Sequence, residues 1–225
     1  GAGELVGAFE VFDAVTAGQA DMYHGADYYF VGQHPAYGFF TSVPFGMTAQ
    51  ELVNWYYHDG GAALHDELGQ IFGLKSFLAG NTGAQAGGWF SKEINGPEDF
   101  NGLKFRMPGL GGLALGKLGA SVQNIPGAEV YQALASGAID GTEWIGPWAD
   151  EKAGFQEIIE IGCAEAHQWN LAQFLSNNSS ALQRLQSNGV KTLEFPDSVW
   201  DAFGQASDAV HQENMGDDIY KRVYD

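Results

Sequence analysis

One eleven-residue pattern occurs twice, and it restricts the fold of this chain more than any other feature. Val11-Phe-Asp-Ala-Val-Thr-Ala-Gly18-Gln-Ala-Asp21 and Val130-Tyr-Gln-Ala-Leu-Ala-Ser-Gly137-Ala-Ile-Asp140 share their valine, aromatic, alanine, aliphatic, small, glycine and aspartate positions at a constant offset of 119. The spacing suits an amphipathic helix that stops at a glycine able to take the left-handed C-terminal conformation, followed by an extended segment that begins at the acid. Two copies predict two lobes of similar α/β design. Ligands of open α/β sheets sit beyond the carboxyl ends of strands. Tyr23 to Tyr29, after Asp21, and Glu143-Trp144, after Asp140, are therefore expected to face the cleft between the lobes.

The rest of the pattern agrees with a mixed α/β class. Apolar residues at Val6, Phe9, Val11, Phe12 and Val15 suit a helix ending near Gly18, and Thr48-Ala-Gln-Glu51 reads as a capping box opening a helix through Tyr56. Gly73 to Leu78, Leu103 to Met107 and Val190 to Phe195 have strand length and are bounded by Gly, Asn or Pro. From Asp150 to Asn188 the pattern stays helical, and Pro196-Asp197-Ser198 begins a further helix toward Asp225. With 225 residues the chain can form one large domain or two small lobes. Its 32 glycines are roughly twice the usual ~7% share. With no short period, they predict tight connections rather than a repetitive fibre.

Charge excludes several functions. The 10 basic and 28 acidic residues give a net charge of −18, a field that repels a phosphate backbone, so no nucleic-acid partner is expected. No apolar run reaches the roughly 18–20 residues of a membrane helix, and Gly1-Ala-Gly-Glu4 is not signal-like, so a soluble chain is expected. The single cysteine, Cys163, excludes an intramolecular disulfide and reads as a small apolar helix residue. Nucleophile-elbow, P-loop and zinc-protease motifs are absent. His58, His65 and Asp66 could share a helix face, but histidines at that spacing more often lie at a core edge. Gly109-Leu-Gly-Gly-Leu-Ala114 imitates a dinucleotide fingerprint, yet Pro108 stiffens its turn and no ribose-binding acid occurs at the right place.

What remains is a constellation for a small anion. Arg106 ends a predicted strand before Pro108-Gly109, and its planar fork can grip a carboxylate bidentately. Its simpler role would be a surface ion pair. Gln85 lies in the glycine-rich segment Gly80 to Phe90, where missing side chains let a ligand approach the backbone. Glu143 facing the same cleft would repel an anion. A hard cation removes the conflict, because Glu143, Gln85 and a backbone carbonyl can supply its oxygen ligands.

The runs Tyr28-Tyr29-Phe-Val-Gly, Ser42-Val-Pro-Phe-Gly46, Trp55-Tyr-Tyr-His, Gly80-Asn81-Thr-Gly-Ala-Gln85, Gly88-Trp-Phe, Gly102-Leu-Lys-Phe-Arg106, Tyr131-Gln-Ala-Leu and Ile139-Asp-Gly-Thr-Glu143-Trp144-Ile-Gly-Pro resemble the periplasmic solute-binding subunits of TRAP transporters, the DctP family. The likeness covers most of Gly1 to Phe155 and is greatest to the branch that binds 2-oxo acids such as pyruvate, or lactate. It implies a two-lobed periplasmic-binding-protein-like fold with a ligand cleft between the lobes and a long C-terminal helical segment. Lobe I would span 1–80, lobe II 81–155, and the helical segment 156–225 would pack across both. The resemblance implies that Arg106 pairs with the substrate carboxylate and that Gln85, Glu143 and the Trp144 carbonyl hold a metal ion, sodium or calcium. Tyr28 or Tyr29 would close over the ligand, with Asn81 and Trp144 also lining it. The implied partners are a small monocarboxylate and the membrane subunits of a TRAP transporter, with a homodimer through the C-terminal helix also implied, and the implied location is the periplasm.

Two departures from the family pattern stand out. Relatives place a strand, helix and second strand before a segment like Gly1 to Val15, and a strand region and helix after Phe155. The sequence is therefore expected to belong to a longer chain, with an omission near 155 and an intact mass well above 24.2 kDa. Two other functions share the binding residues. A metal-dependent enzyme acting on 2-oxo acids would need a general acid or base, for which His24 is the evident candidate. A sensory ligand-binding domain would be separated only by its neighbouring genes.

Overall fold

In the computed structural model the described residues are 3–151, 177–187, 190 and 192–225. Four short strands form one sheet: β1 (Trp89–Phe90), β2 (Lys104–Arg106), β3 (Ser121–Gln123) and β4 (Gly141–Thr142) in the order β1-β4-β2-β3. β2 runs parallel to both β3 and β4, while β1 is antiparallel to β4 at the edge. Helix α4 (Gly109–Lys117) crosses from β2 to β3, and α5 (Gly127–Ala135) from β3 to β4. Parallel neighbours need such crossovers. The register sets Arg106 opposite Thr142, so the carboxyl ends of the two central strands lie side by side.

The helix ends obey the sequence signals closely. α2 (Ala49–His58) begins with the expected capping box: Thr48 Oγ1 accepts from the Glu51 N–H at 3.4 Å, and the Glu51 carboxylate accepts from the Thr48 N–H at 2.8 Å. α1 (Val11–Thr16) and α5 stop at Gly18 and Gly137, each at φ +71°. In both copies the N–H just after the glycine reaches back to an alanine carbonyl, from Gln19 to Ala14 at 2.8 Å and from Ala138 to Ala133 at 2.9 Å. Only the second copy continues into a strand.

Four expectations are corrected here. The segment after Asp21 is not a strand but leads into a single 3-10 turn, Asp27–Phe30, and neither Gly73 to Leu78 nor the described residues of Val190 to Phe195 form strands. A strand persists only where a neighbour answers its N–H and C=O groups, and among the described residues none pairs with these. The helix predicted toward Asp225 is two helices, α7 (Asp197–Asn214) and α8 (Asp218–Tyr224). Asp217 restarts the second by accepting from the Tyr220 N–H at 2.7 Å. Cys163 and most of the helical run from Asp150 to Asn188 lie outside the described residues, although 177–187 are helical.

Two apolar clusters hold these elements. One gathers Phe12, Phe30, Tyr37, Phe39, Phe40, Tyr56 and Leu68 with Tyr220 and Val223 of α8. The other gathers Ile94, Phe100, Leu103, Phe105 and Leu115 with Val199 of α7. Phe105 stacks on Phe90 at 4.8 Å beneath the sheet, and it can do so because Gly141 has no side chain: a Cβ there would meet the Phe105 ring at 2.9 Å. Alternation along β2 then puts Arg106 on the opposite face from Phe105. No helix among the described residues is long and apolar enough to cross a membrane.

Candidate functional site

Arg106 is wholly buried at the carboxyl end of β2, an unusual place for a guanidinium unless it is paired. Its Nε–H donates to the Ile125 carbonyl at 3.1 Å, one terminal nitrogen donates to the Glu143 carbonyl at 2.8 Å, and the other donates to the Tyr29 hydroxyl at 2.9 Å. A guanidinium has five N–H groups. Among the described residues, one N–H on each terminal nitrogen makes no hydrogen bond. The Arg106 guanidinium carbon stands over the Trp144 ring, 4.8 Å from its centroid, a cation–π contact.

Glu143 comes from the end of the neighbouring strand. Its N–H donates to the Arg106 carbonyl at 3.0 Å, and one carboxylate oxygen stands 3.6 Å from the Arg106 guanidinium. The other oxygen, Oε1, is buried and has no hydrogen-bond partner among the described residues. Burial pushes the Glu143 carboxyl up to about 8; Arg106 opposes this and the Asp150 carboxylate adds to it. A buried carboxyl oxygen with no partner is costly, and a cation is the group that would answer it.

Tyr29 and Tyr28 reach the site from the 3-10 turn Asp27–Phe30, and their rings meet edge to face at 4.5 Å. Burial raises the Tyr28 hydroxyl well above its ordinary value, so it stays protonated. The glycines of the apparent dinucleotide fingerprint explain themselves here. A Cβ on Gly109 would lie 2.7 Å from the Tyr28 Cβ, and one on Gly112 would lie 2.1 Å from the Met107 carbonyl, so these glycines permit close packing around the site.

The structure therefore brings Arg106, Glu143, Trp144, Tyr28 and Tyr29 together. Gln85 approaches through its backbone: the next residue, Ala86, donates its N–H to the Ile145 carbonyl at 3.1 Å, while the exposed Gln85 carboxamide donates to Thr82 Oγ1 at 3.3 Å. Asn81 turns its carboxamide oxygen onto the Gly83 N–H at 2.8 Å. His24 is exposed and takes no part in the cluster. His65, far from being a surface ligand, is buried against Phe40 and pairs its Nδ1 with the Tyr56 hydroxyl at 3.1 Å. Sequence reasoning missed Asp150, whose carboxylate accepts from the Ile145 and Gly146 N–H groups at 3.0 Å each and from the Trp89 indole at 2.6 Å. The signal was available: an acid in the first turn after Gly146-Pro147 is placed to cap a helix start.

The donors suit a hard cation. Glu143 offers a carboxylate oxygen, and Gln85 and Trp144 carry the amide and carbonyl oxygens expected to join it, although the Gln85 carboxamide is turned onto Thr82. No group of three or more His, Cys, Asp or Glu side chains that could hold a metal occurs among the described residues. Any cation here would thus depend on neutral oxygens for most of its ligands from the protein.

Known proteins resemble this chain in both sequence and fold. Residues 1–161 match the family described as bacterial extracellular solute-binding protein, family 7 (DctP). The monocarboxylate 2-oxoacid-binding periplasmic protein of Nostoc sp. PCC 7120 is 38% identical over an alignment of 260 positions that takes in all of this chain and 71% of that protein. The alignment is longer than the chain, so it includes gaps on this side. A TRAP transporter solute-binding protein of Bordetella bronchiseptica superposes with a TM-score of 0.93 at 32% identity, over 99% of this chain and 77% of that one; its structure is a dimer with calcium and picolinate in one site and the other site apo. A TRAP periplasmic solute-binding protein of Pseudoalteromonas atlantica with bound sodium and pyruvate superposes with a TM-score of 0.87 at 38% identity, over 96% of this chain and 77% of that one.

Proposed function

The chain belongs to the bacterial extracellular solute-binding protein family 7, DctP, and from that premise we propose that it is the receptor of a TRAP-type secondary transporter, capturing a small 2-oxo or 2-hydroxy monocarboxylate outside the cytoplasm. The observation that carries this reading is the pairing, among the described residues, of a buried arginine that has N–H groups making no hydrogen bond with a buried glutamate oxygen that has no hydrogen-bond partner. The first calls for an anion and the second for a cation. A 2-oxo or 2-hydroxy acid together with a metal ion answers both, and relatives carrying pyruvate with sodium or calcium with picolinate support the combination.

In this reading Arg106 holds the substrate carboxylate through its two remaining N–H groups, already oriented by its bonds to Ile125 and Tyr29. Glu143, Gln85 and the Trp144 carbonyl would hold the cation. When bound, it would supply positive charge between the Glu143 carboxylate and the substrate's two oxygens. Tyr28 and Tyr29 cover the site from the first copy of the repeat, and Asn81 shapes the turn that leads to Gln85. We read 1–80 as lobe I, 81–155 as lobe II and 156–225 as the segment packed across them, with the two separate apolar clusters in support. Membrane subunits of the transporter are the partners, the C-terminal helices are the contact of a homodimer, and delivery rather than turnover is the output.

The test is the sign of one substitution. With no cation, burial already holds the Glu143 carboxyl largely protonated at neutral pH, so Glu143→Gln removes at most a residual charge that repels the anion and leaves pyruvate affinity unchanged or higher. With a cation it removes half of a charged contact, which typically costs about 2–5 kcal/mol, or roughly 30-fold and more at 1.4 kcal/mol per tenfold. Calorimetric titration of the metal-stripped and calcium-restored protein measures this, and propionate, which lacks the second oxygen, is expected to bind more weakly than pyruvate. Tighter binding by Glu143→Gln, or no preference for pyruvate, overturns the reading. Tryptophan fluorescence is expected to change saturably with pyruvate because Trp144 lies on the Arg106 guanidinium.

A further inference from the structure

The Asp150 carboxylate makes no contact assigned above to substrate or cation, yet each of its bonds ends on a segment that carries a proposed cation ligand. One oxygen accepts from the Ile145 and Gly146 N–H groups at 3.0 Å each, and the other accepts from the Trp89 indole N–H at 2.6 Å. The Ile145 N–H and the Trp144 carbonyl belong to the same peptide unit. A trans peptide is planar, with its N–H and C=O pointing in opposite directions. Fixing the Ile145 N–H on Asp150 therefore fixes the direction of the Trp144 carbonyl. The carbonyl's only freedom would be rotation of that whole plane, which the carboxylate opposes.

The same side chain sets the spacing between ligands. Trp89 lies four residues after Gln85, and the Ala86 N–H donates to the Ile145 carbonyl at 3.1 Å. The 85–89 segment is thus joined to the 143–146 turn at two places, one of them through Asp150. Hydrogen bonding to the N–H side of a peptide also polarises its carbonyl toward greater negative charge. Both effects favour a cation without Asp150 touching it.

We infer that Asp150 is a positioning residue for the cation: it aims the Trp144 carbonyl and ties the Gln85 segment to it. The inference rests on the cation site proposed above and would fall with it, so the experiment separates the two. Calcium affinity is measured calorimetrically, at saturating pyruvate, for the parent, Glu143→Gln, Asp150→Ala and the double variant Asp150→Asn with Trp89→Phe. Melting temperature and near-ultraviolet circular dichroism are recorded for each. In the double variant the asparagine oxygen still accepts from Ile145 and Gly146, and removal of the indole avoids two opposed donors. Asp150→Ala is expected to lose about 10–100-fold in calcium affinity, the range for groups that orient metal ligands, and the double variant, which keeps the bonds to Ile145 and Gly146 but not the tie to Trp89, is expected to regain the part of it that comes from aiming the Trp144 carbonyl.

A folded Asp150→Ala protein that binds calcium like the parent overturns the inference while leaving the site standing, provided Glu143→Gln has lost affinity. A double variant as weak as Asp150→Ala shows that the bonds to Ile145 and Gly146 do not hold the ligand in place and also overturns it. A parent that binds no calcium overturns site and inference together. Amide hydrogen exchange needs no variant: Ile145 and Gly146 are expected to be protected in the calcium-free protein, and free exchange there would contradict a carboxylate that aims the peptide in advance.

Discussion

The two copies of the repeated pattern begin alike and end differently. In each, a short helix stops at a glycine with φ +71° and the chain turns back through the same hydrogen bond to an alanine carbonyl. After Asp140 the chain becomes a strand between β1 and β2 and delivers Glu143 and Trp144. After Asp21 it stays irregular, then forms the 3-10 turn that delivers Tyr28 and Tyr29. Both copies reach Arg106, one through main-chain pairing and a carboxylate, the other through a single phenol. A helix stop is a local instruction, whereas the conformation of the chain beyond it depends on which neighbours are there to pair.

The largest expected effect contrasts the two contributions at Arg106. Arg106→Ala strips Glu143 of its guanidinium and the substrate of its anchor, so pyruvate affinity should fall by roughly 30-fold or more, the equivalent of about 2–5 kcal/mol. Tyr29→Phe removes one hydrogen bond to a charged group, worth about 1.5–3 kcal/mol in all, or roughly 10- to 150-fold; only the part that differs between the free and bound protein weakens binding, so the loss should be smaller than for Arg106→Ala. If calorimetry found Tyr29→Phe the more damaging of the two, the first copy and not the strand end would dominate the site.

Next comes the aspartate that closes each copy. Asp140 accepts from the Lys104 N–H at 3.0 Å and thereby joins β4 to β2, whereas Asp21 is exposed and no bond of its side chain occurs among the described residues. Asp140→Ala leaves a half-buried N–H without its partner and is expected to cost about 1–3 kcal/mol of stability. Asp21→Ala should leave the urea midpoint unchanged. Equal midpoint shifts for the two would show that Asp21 also holds a structure, against the difference between the copies.

The smallest effect is the one in which the copies should agree. A Cβ on Gly18 or Gly137 would meet nothing within 4 Å, so only backbone strain opposes alanine at either place. The left-handed conformation costs a non-glycine residue about 1–2 kcal/mol. Gly18→Ala and Gly137→Ala are expected to lower stability equally within that range in denaturant titrations. A markedly larger loss for Gly137→Ala would mean that the cap and the strand after it fold as one unit.

Much of the site was legible from residue chemistry. An arginine at a strand end before Pro108-Gly109, in a chain with so few basic residues, pointed to an anion, and Glu143 close by pointed to a cation. Both side chains are buried and face each other. Gln85 and Asn81 were legible as a glycine-rich approach, but not in where their carboxamides point, because each has a local partner, Thr82 or Gly83, that competes for it. Asp150 was legible as a cap of the helix after Gly146-Pro147 but not as a tie to the Gln85 segment, because its bond to Trp89 spans 61 positions of sequence. Strands at Gly73 to Leu78 and Val190 to Phe195 were expected from composition, which records suitability for a sheet and nothing about the presence of a neighbour.

The sequence alone determined the features whose partners lie within about one helical turn: the Thr48–Glu51 capping box, the two glycine stops, and the alternation that puts Phe105 and Arg106 on opposite faces of β2. Tertiary structure decided which copy of the repeat became a strand, and it placed Tyr29 on a guanidinium 77 residues away. It also left one oxygen of Glu143 buried without a hydrogen-bond partner among the described residues. The division arises from the reach of each interaction. A cap is complete once a few consecutive residues take their angles, whereas a strand or a buried charge acquires its environment only when distant segments pack around it and water is excluded.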